Sequence, residues 1–194
     1  MDKRLIPIFL AALVIAGVSY WKVTRDYPPQ PRAEDLVFKQ PAPLIPTLPD
    51  QNSEVLKFER YLGRHDIFVV FYDGKNGIEN SKSMQLFRTR YAELKKRGTI
   101  VVGISDALPQ ESLGYEEVAD ESGKTVRRKK SWPFPLLTDF GLLVHQNWGR
   151  YDKETEQALE GVFYLDRAGN VDFQNGRPLP LDGPERFLNQ LLGE

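Results

Sequence analysis

Ile67 to Lys96 reads IFVVFYDGKNGIENSKSMQLFRTRYAELKK, and no other stretch restricts the fold as tightly. An unbroken apolar run of strand length, flanked by turn residues, suits a strand buried on both faces. A polar loop containing glycine follows. Beyond it Met84, Phe87, Tyr91 and Leu94 recur at spacings of three and four, which gathers them on one face of a helix. The spacing predicts a helix from about Ser81 to Arg97, ended by Gly98 in the left-handed conformation usual just past a helix. Thr99 to Ile104 supplies a second β-branched strand, so the unit reads as βαβ with parallel strands. Where such a strand ends and its helix begins, backbone N–H groups and helix polarity favour negative charge. The loop Asp73 to Ser83 is therefore the first place to look for chemistry.

Downstream, Tyr115 to Lys130 reads YEEVADESGKTVRRKK: acidic, then a Ser-Gly turn, then basic. Gly123 at the centre and opposite charges on the two arms suit an antiparallel hairpin with cross-strand ion pairs, inserted over 114–130. It reads as a solvated protrusion or as a docking edge for a protein partner. The basic run RRKK is too short to imply nucleic acid or lipid binding, and a net charge of −1 argues against bulk attraction to either. WPFPLLT (132–138) predicts a strand, Phe140 to Trp148 a short helix, and Gly161 to Asp166 another buried strand, after which DRAGN turns and VDFQN pairs back. Pro184 suits the first turn of a helix whose Phe187, Leu188, Leu191 and Leu192 form one apolar face.

Upstream, Lys3 and Arg4 precede LIPIFLAALVIAGVSYW, an uncharged run near the lower limit for crossing a bilayer, with Tyr20 and Trp21 at its end. Residues 1–25 are read as an uncleaved membrane anchor. A cleaved secretory signal is the rival, since small residues stand at Ala16, Gly17 and Ser19. The anchor would hold the domain on the extracytoplasmic, periplasmic-type side, and cleavage would release it as a secreted protein. Residues 26–49 carry seven prolines and read as a stiff extended tether, leaving 50–194 as the domain, which opens with a small hairpin turning at Asp50 to Ser53.

These residues resemble peroxiredoxins of the alkyl-hydroperoxide-reductase and thiol-specific-antioxidant (AhpC/TSA) group, including the bacterioferritin-comigratory type. That group reads F-Y-P-x-x-x-T-P-x-C and then F-R-x-x-Y-x-E-L. Here Phe71 and Tyr72 match the first motif, and FRTRYAEL (87–94) matches the second without a gap. APLIPTLPDQNSEVLKF (42–58) is similar to the family's opening hairpin, and WPFPLLTDFGLLVHQNWG and GVFYLDRAGNV continue the likeness. The resemblance implies an α/β, thioredoxin-like central mixed sheet flanked by helices, here preceded by one N-terminal transmembrane helix. Peroxiredoxins often pair through sheet edges or loop faces, so a homodimer is compatible with it.

The family's chemistry does not carry over. By the resemblance, its peroxide-attacking cysteine falls at Asn80, its threonine at Gly77, its proline at Ile78, a resolving cysteine at Gln85 and its arginine at Glu160. Gly161 stands near the place of the usual thioredoxin cis-proline. The chain contains no cysteine. A carboxamide cannot ionise to a nucleophile or pass through a sulfenic acid, so no catalytic residue of the family's reaction is expected. Asn80 is predicted to cap the following helix. A remodelled crevice would comprise Asp73, Glu79, Asn80, Ser81 and Glu160, where converging carboxylates would raise one another's pKa and hold a cation or do acid–base work. His65 and His145 lie outside any metal-ligand pattern and are expected at the surface or the core edge; no metal or cofactor is called for. The function expected is that of a membrane-anchored domain that has lost the thiol peroxidase machinery and acts by binding. The alternatives are a redox protein working with a partner's thiols, or a different enzyme using the crevice.

Overall fold

The computed structural model describes residues 36–108, 113 and 115–194, together with Trp21. The anchor and the first part of the tether, Trp21 apart, lie outside them. Among the described residues no helix is long and apolar enough to cross a membrane. Residues 37–194 form a compact unit of their own. In chain order its strands are β1 (Phe38–Pro41), β2 (Leu48–Pro49), β3 (Val55–Leu56), β4 (Ile67–Phe71), β5 (Ile100–Ser105), β6 (Tyr115–Ala119), β7 (Thr125–Lys129), β8 (Leu136–Thr138), β9 (Tyr151–Asp152), β10 (Gln157–Ala158), β11 (Gly161–Leu165), β12 (Asn170–Gln174) and β13 (Arg177–Pro178). The helices are α1 (Lys82–Lys96), α2 (Leu143–Asn147) and α3 (Pro184–Leu192), with 3₁₀ turns at Phe58–Arg60 and Ile78–Asn80.

The central sheet has the order β11-β4-β5-β8. Pairing of β4 with β5 and of β5 with β8 is parallel, and pairing of β11 with β4 is antiparallel, so the sheet is mixed. Every side chain of β4 is buried, as its unbroken apolar run demands. Phe68 and Val70 face α1 and α3, where they meet Met84, Phe87, Leu94 and Leu188. Val69 and Phe71 face the other way, onto Val144 and Trp148 of α2 and its cap and onto Val171 and Phe173 of β12. Phe71, Trp148 and Phe163 pack ring to ring, with centroids 5.0 to 5.7 Å apart. Burying side chains of this size stabilises the fold by about 1.5–3 kcal/mol each. The stop of α1 follows the sequence reading. Gly98 has φ +75°, its N–H reaches Lys95 O, and Thr99 N–H reaches Leu94 O, the paired bonds of a Schellman close.

The tether does not run to Pro49. Phe38–Pro41 pairs antiparallel with β12, and Ile45 is buried in the core, so the domain begins near residue 37 and not at 50. All four β1 side chains are exposed, so this strand carries no apolar alternation to betray it. Nor does VDFQN pair back on β11, because β12 has its edges taken by β1 and β13. The turn between β2 and β3 forms as predicted, with Asp50 Oδ1 accepting from the backbone N–H of Asn52 and Glu54. His65 is partly exposed, whereas His145 is wholly buried, against expectation. It tolerates that position because Asp139, also buried, lies 2.8 Å from its Nδ1 and accepts its backbone N–H at 2.9 Å.

The predicted hairpin forms as β6 and β7, with Glu116 opposite Arg128 and Glu117 opposite Arg127. These opposed charges do not close into ion pairs among the described residues. Arg127 lies instead over the ring of Tyr115, 4.3 Å from its centroid.

Candidate functional site

The loop between β4 and α1 begins at Tyr72 and is fixed by its own polar groups. Asp73 Oδ1 accepts from the backbone N–H of Lys75 at 2.9 Å and of Asn76 at 3.2 Å, while Oδ2 accepts from the Asn76 amide. Such an Asx turn holds the carboxylate to the loop. Gly74 lies so close to β5 that a Cβ would stand 2.6 Å from Ser105 Oγ and 2.7 Å from Ala107 Cβ, which leaves room for glycine only. Gly77 has φ +84° and ψ 136°, a conformation that a β-branched threonine resists. The loop therefore follows a path of its own at the position where the resemblance placed threonine.

Asn80 does not cap α1. It closes the 3₁₀ turn and its amide donates to Asn76 O; the N-cap is Ser81, one residue on. Ser81 is buried, yet its hydroxyl makes no capping bond and has no partner. The extra turn Ile78–Asn80 is what displaces the cap, and Ile78 seals it into the core.

A cleft of about 420 Å³ is lined by Asp73, Gly77, Asn80 and Ser81 from this loop and by Leu159 and Glu160 from the approach to β11. Glu79 lies elsewhere. Its carboxylate accepts from Gln85 Nε2 at 2.8 Å and pairs with Arg88 at 3.4 Å and Lys130 at 3.3 Å. Burial by itself would push the Glu79 carboxyl up, but the hydrogen bonds from Lys130 and Gln85 outweigh it and hold it below the usual carboxylate range. The mutual raising expected of three converging carboxylates thus fails at Glu79, because cations reach it first. Gln85, where the resemblance placed a resolving cysteine, is spent on this contact. Among the described residues no group of three or more His, Asp or Glu side chains is arranged to hold a metal ion.

Two neighbours escaped the sequence reading. Asp106, just past β5, pairs with Lys75 Nζ at 2.8 Å across the mouth of an adjoining 270 Å³ recess. That hydrogen bond, and then the charge of Asp106, raise the Lys75 ammonium above its ordinary value, so it is no neutral amine nucleophile at pH 7. Arg150 donates to the Glu160 carbonyl at 3.3 Å and packs so tightly over Gly161 that a Cβ there would lie 2.9 Å from Arg150 Cδ. An arginine thus stands beside Glu160, where the resemblance placed the family's arginine, and comes from a different part of the chain. The parallel ladder puts Asp106 beside the first loop, a placement legible only once β4 and β5 are paired.

A profile of the AhpC/TSA family matches residues 39–174. The chain is 33% identical over 158 residues to a chloroplastic peroxiredoxin Q of Populus jackii, covering 80% of this chain and 67% of that protein. It is 30% identical over 148 residues to the peroxiredoxin Q of Sedum lineare, covering 75% and 71%. Among solved structures, the Plasmodium yoelii protein Prx1a superposes with a TM-score of 0.56 at 14% identity, covering 79% of this chain and 88% of that one, which speaks for the fold alone.

Proposed function

This chain belongs to the AhpC/TSA family, and on that footing we propose that it is a member that has left thiol peroxidase chemistry and acts by binding, as an accessory or scaffold subunit. One observation carries the reading: the central mixed sheet is formed in a chain that contains no cysteine, with Asn80 where the resemblance assigns the family's cysteine. Fold and chemistry separate readily, because the core and the site rest on different residues. Gly77 supports the same conclusion, since its backbone geometry disfavours the threonine that the family's site would need there. The proposal further holds that residues 1–25 tether the domain to a membrane on its extracytoplasmic side.

The β6–β7 hairpin is the proposed docking element. Among the described residues it forms a two-stranded sheet with both outer edges unpaired, and Tyr115, Val118 and Val126 are exposed along it. Open strand edges are suited to strand addition by a partner's extended segment. The test uses full-length protein in detergent-solubilised membranes beside a version lacking residues 115–130. A partner captured by the intact protein and lost with the hairpin supports the reading. The same purified protein, supplied with a thiol reductant and hydrogen peroxide, is expected to consume no more peroxide than the reductant alone; consumption above that level would overturn it.

A further inference from the structure

Beyond the partner reading, we propose that Asn175, at the tip of the β12–β13 hairpin, is a site of spontaneous deamidation that converts to aspartate and isoaspartate through a cyclic imide. The chain holds two Asn-Gly pairs, Asn76–Gly77 and Asn175–Gly176, and their surroundings set them apart. In the reaction the main-chain nitrogen following the asparagine attacks the side-chain carbon Cγ. A C–N bond forms, the carboxamide nitrogen leaves as ammonia, and the proton lost by the attacking nitrogen ends on that ammonia. Water then opens the imide at either carbonyl. Opening at Cγ leaves aspartate, and opening at the main-chain carbon leaves isoaspartate, whose chain runs through Cβ. Glycine favours the attack because it has no side chain to obstruct it.

The turn explains why the second pair is there. Gln174 stands opposite Arg177 in the register, which leaves Asn175 and Gly176 as a two-residue loop. Both have positive φ, +54° and +71°, as a type I′ turn requires, and Asn-Gly is the pair that such a turn favours. Both residues are exposed, and a Cβ built on Gly176 would meet nothing within 4 Å, so an imide ring would strike no neighbour. Among the described residues neither the Asn175 carboxamide nor the Gly176 N–H is hydrogen-bonded within the chain.

Asn76 is exposed as well, so exposure does not separate the pairs. What separates them is that Asn76 is held at every reacting group. Its main-chain N–H and its carboxamide both donate to Asp73, and its carbonyl accepts from the Asn80 amide. The Gly77 N–H, which would supply the nucleophile, donates to Gly74 O at 3.2 Å. Attack requires the backbone to leave its native path so that nitrogen and Cγ can meet, and the free energy of such local opening varies widely across one fold. At Asn76 it breaks these bonds; at Asn175 no such bonds stand in the way. The product also bears on the sheet. Isoaspartate adds a main-chain carbon to a turn that the register limits to two residues, and either product adds a negative charge next to Arg177.

Full-length protein in detergent micelles, held at mildly alkaline pH and sampled over time, tests this. Tryptic peptides 76–82 and 168–186 carry the two pairs, and fragmentation assigns the mass gain of amide to acid to its residue. Asp73–Gly74 and Asp182–Gly183 are acids already and add no mass. Asn175 is expected to convert about tenfold faster than Asn76, the ratio that roughly 1.4 kcal/mol of extra opening free energy would give. In guanidinium chloride, with both turns unfolded, the two rates should converge. Asp73→Ala, which removes two of the bonds on Asn76, should bring its rate up toward that of Asn175 and leave Asn175 unchanged. Conversion of Asn76 as fast as Asn175 in the folded protein overturns the proposal. So does a ratio that guanidinium leaves unchanged, or an Asn175 that stays intact when folded while the unfolded chain converts. None of these outcomes depends on whether the β6–β7 hairpin captures a protein.

Discussion

Asn80→Cys puts a thiol where the resemblance assigns the family's cysteine, and the surroundings determine how reactive that thiol becomes. Asn80 is exposed at the end of the 3₁₀ turn, just ahead of α1. The dipole of α1 can favour a thiolate there by at most about 1 kcal/mol, or roughly 0.7 of a pKa unit. Asp73 and Glu160 line the same cleft and oppose it. From an ordinary thiol pKa of about 8.5, the variant should fall no lower than roughly 7.8, leaving about 3–14% thiolate at pH 7. Alkylation rate against pH measures this directly, because the chain has no other cysteine to react. Peroxide consumption by the variant, with a thiol reductant in excess, should match that of a free thiol. Adding Gly77→Thr should not help, and at φ +84° it should lower stability by about 1–3 kcal/mol. A pKa below about 6, or turnover that saturates with peroxide, would refute the claim that the site has been dismantled and not merely emptied of its sulfur.

Two further outcomes test the packing. A Cβ at Gly103 would stand 2.9 Å from both Leu136 Cδ2 and Met84 Cε, so Gly103→Ala should destabilise by about 1–3 kcal/mol, read as a lower urea midpoint with unchanged slope. Burial alone would raise the Asp139 carboxyl, but hydrogen bonds from the His145 ring and backbone prevail and hold it below the usual range. A depressed folded pKa gives stability that is full above the unfolded value near 3.9 and lost as pH falls through the folded one. Asp139→Asn should therefore cost about 1–3 kcal/mol at neutral pH and flatten the acid limb of the urea midpoint against pH below about 4; an unchanged acid limb would remove Asp139 from the account.

The parts of the fold that can be read from the chain are those in which one local rule and burial agree. β4 combines an apolar run with burial on both faces, and α1 combines its apolar spacing with the stop at Gly98. The hairpin was visible because Gly123 and opposed charges are local signals. β1 is hidden because a wholly exposed strand within a proline-rich stretch gains its place from a partner more than a hundred residues away. The cap was misplaced by one residue because a 3₁₀ turn and an α-helix share their first polar residues. In the site, the shared cleft of Asp73 and Glu160 follows from topology, whereas the removal of Glu79 depended on Lys130, a residue at the end of the insertion. Burial of His145 required knowing that Asp139 would be folded beneath it.

The hairpin has a consequence for how this scaffold could change or be changed. β5 and β8 pair directly with one another, and among the described residues β6 and β7 pair only with each other, so the sheet closes without the hairpin between them. Closing a longer connection between two fixed strands costs only about 0.6 kcal/mol for each doubling of its length. The hairpin from Tyr115 to Lys129 is thus a graft site, where a foreign loop or small module could be exchanged and displayed while the core beneath keeps its register.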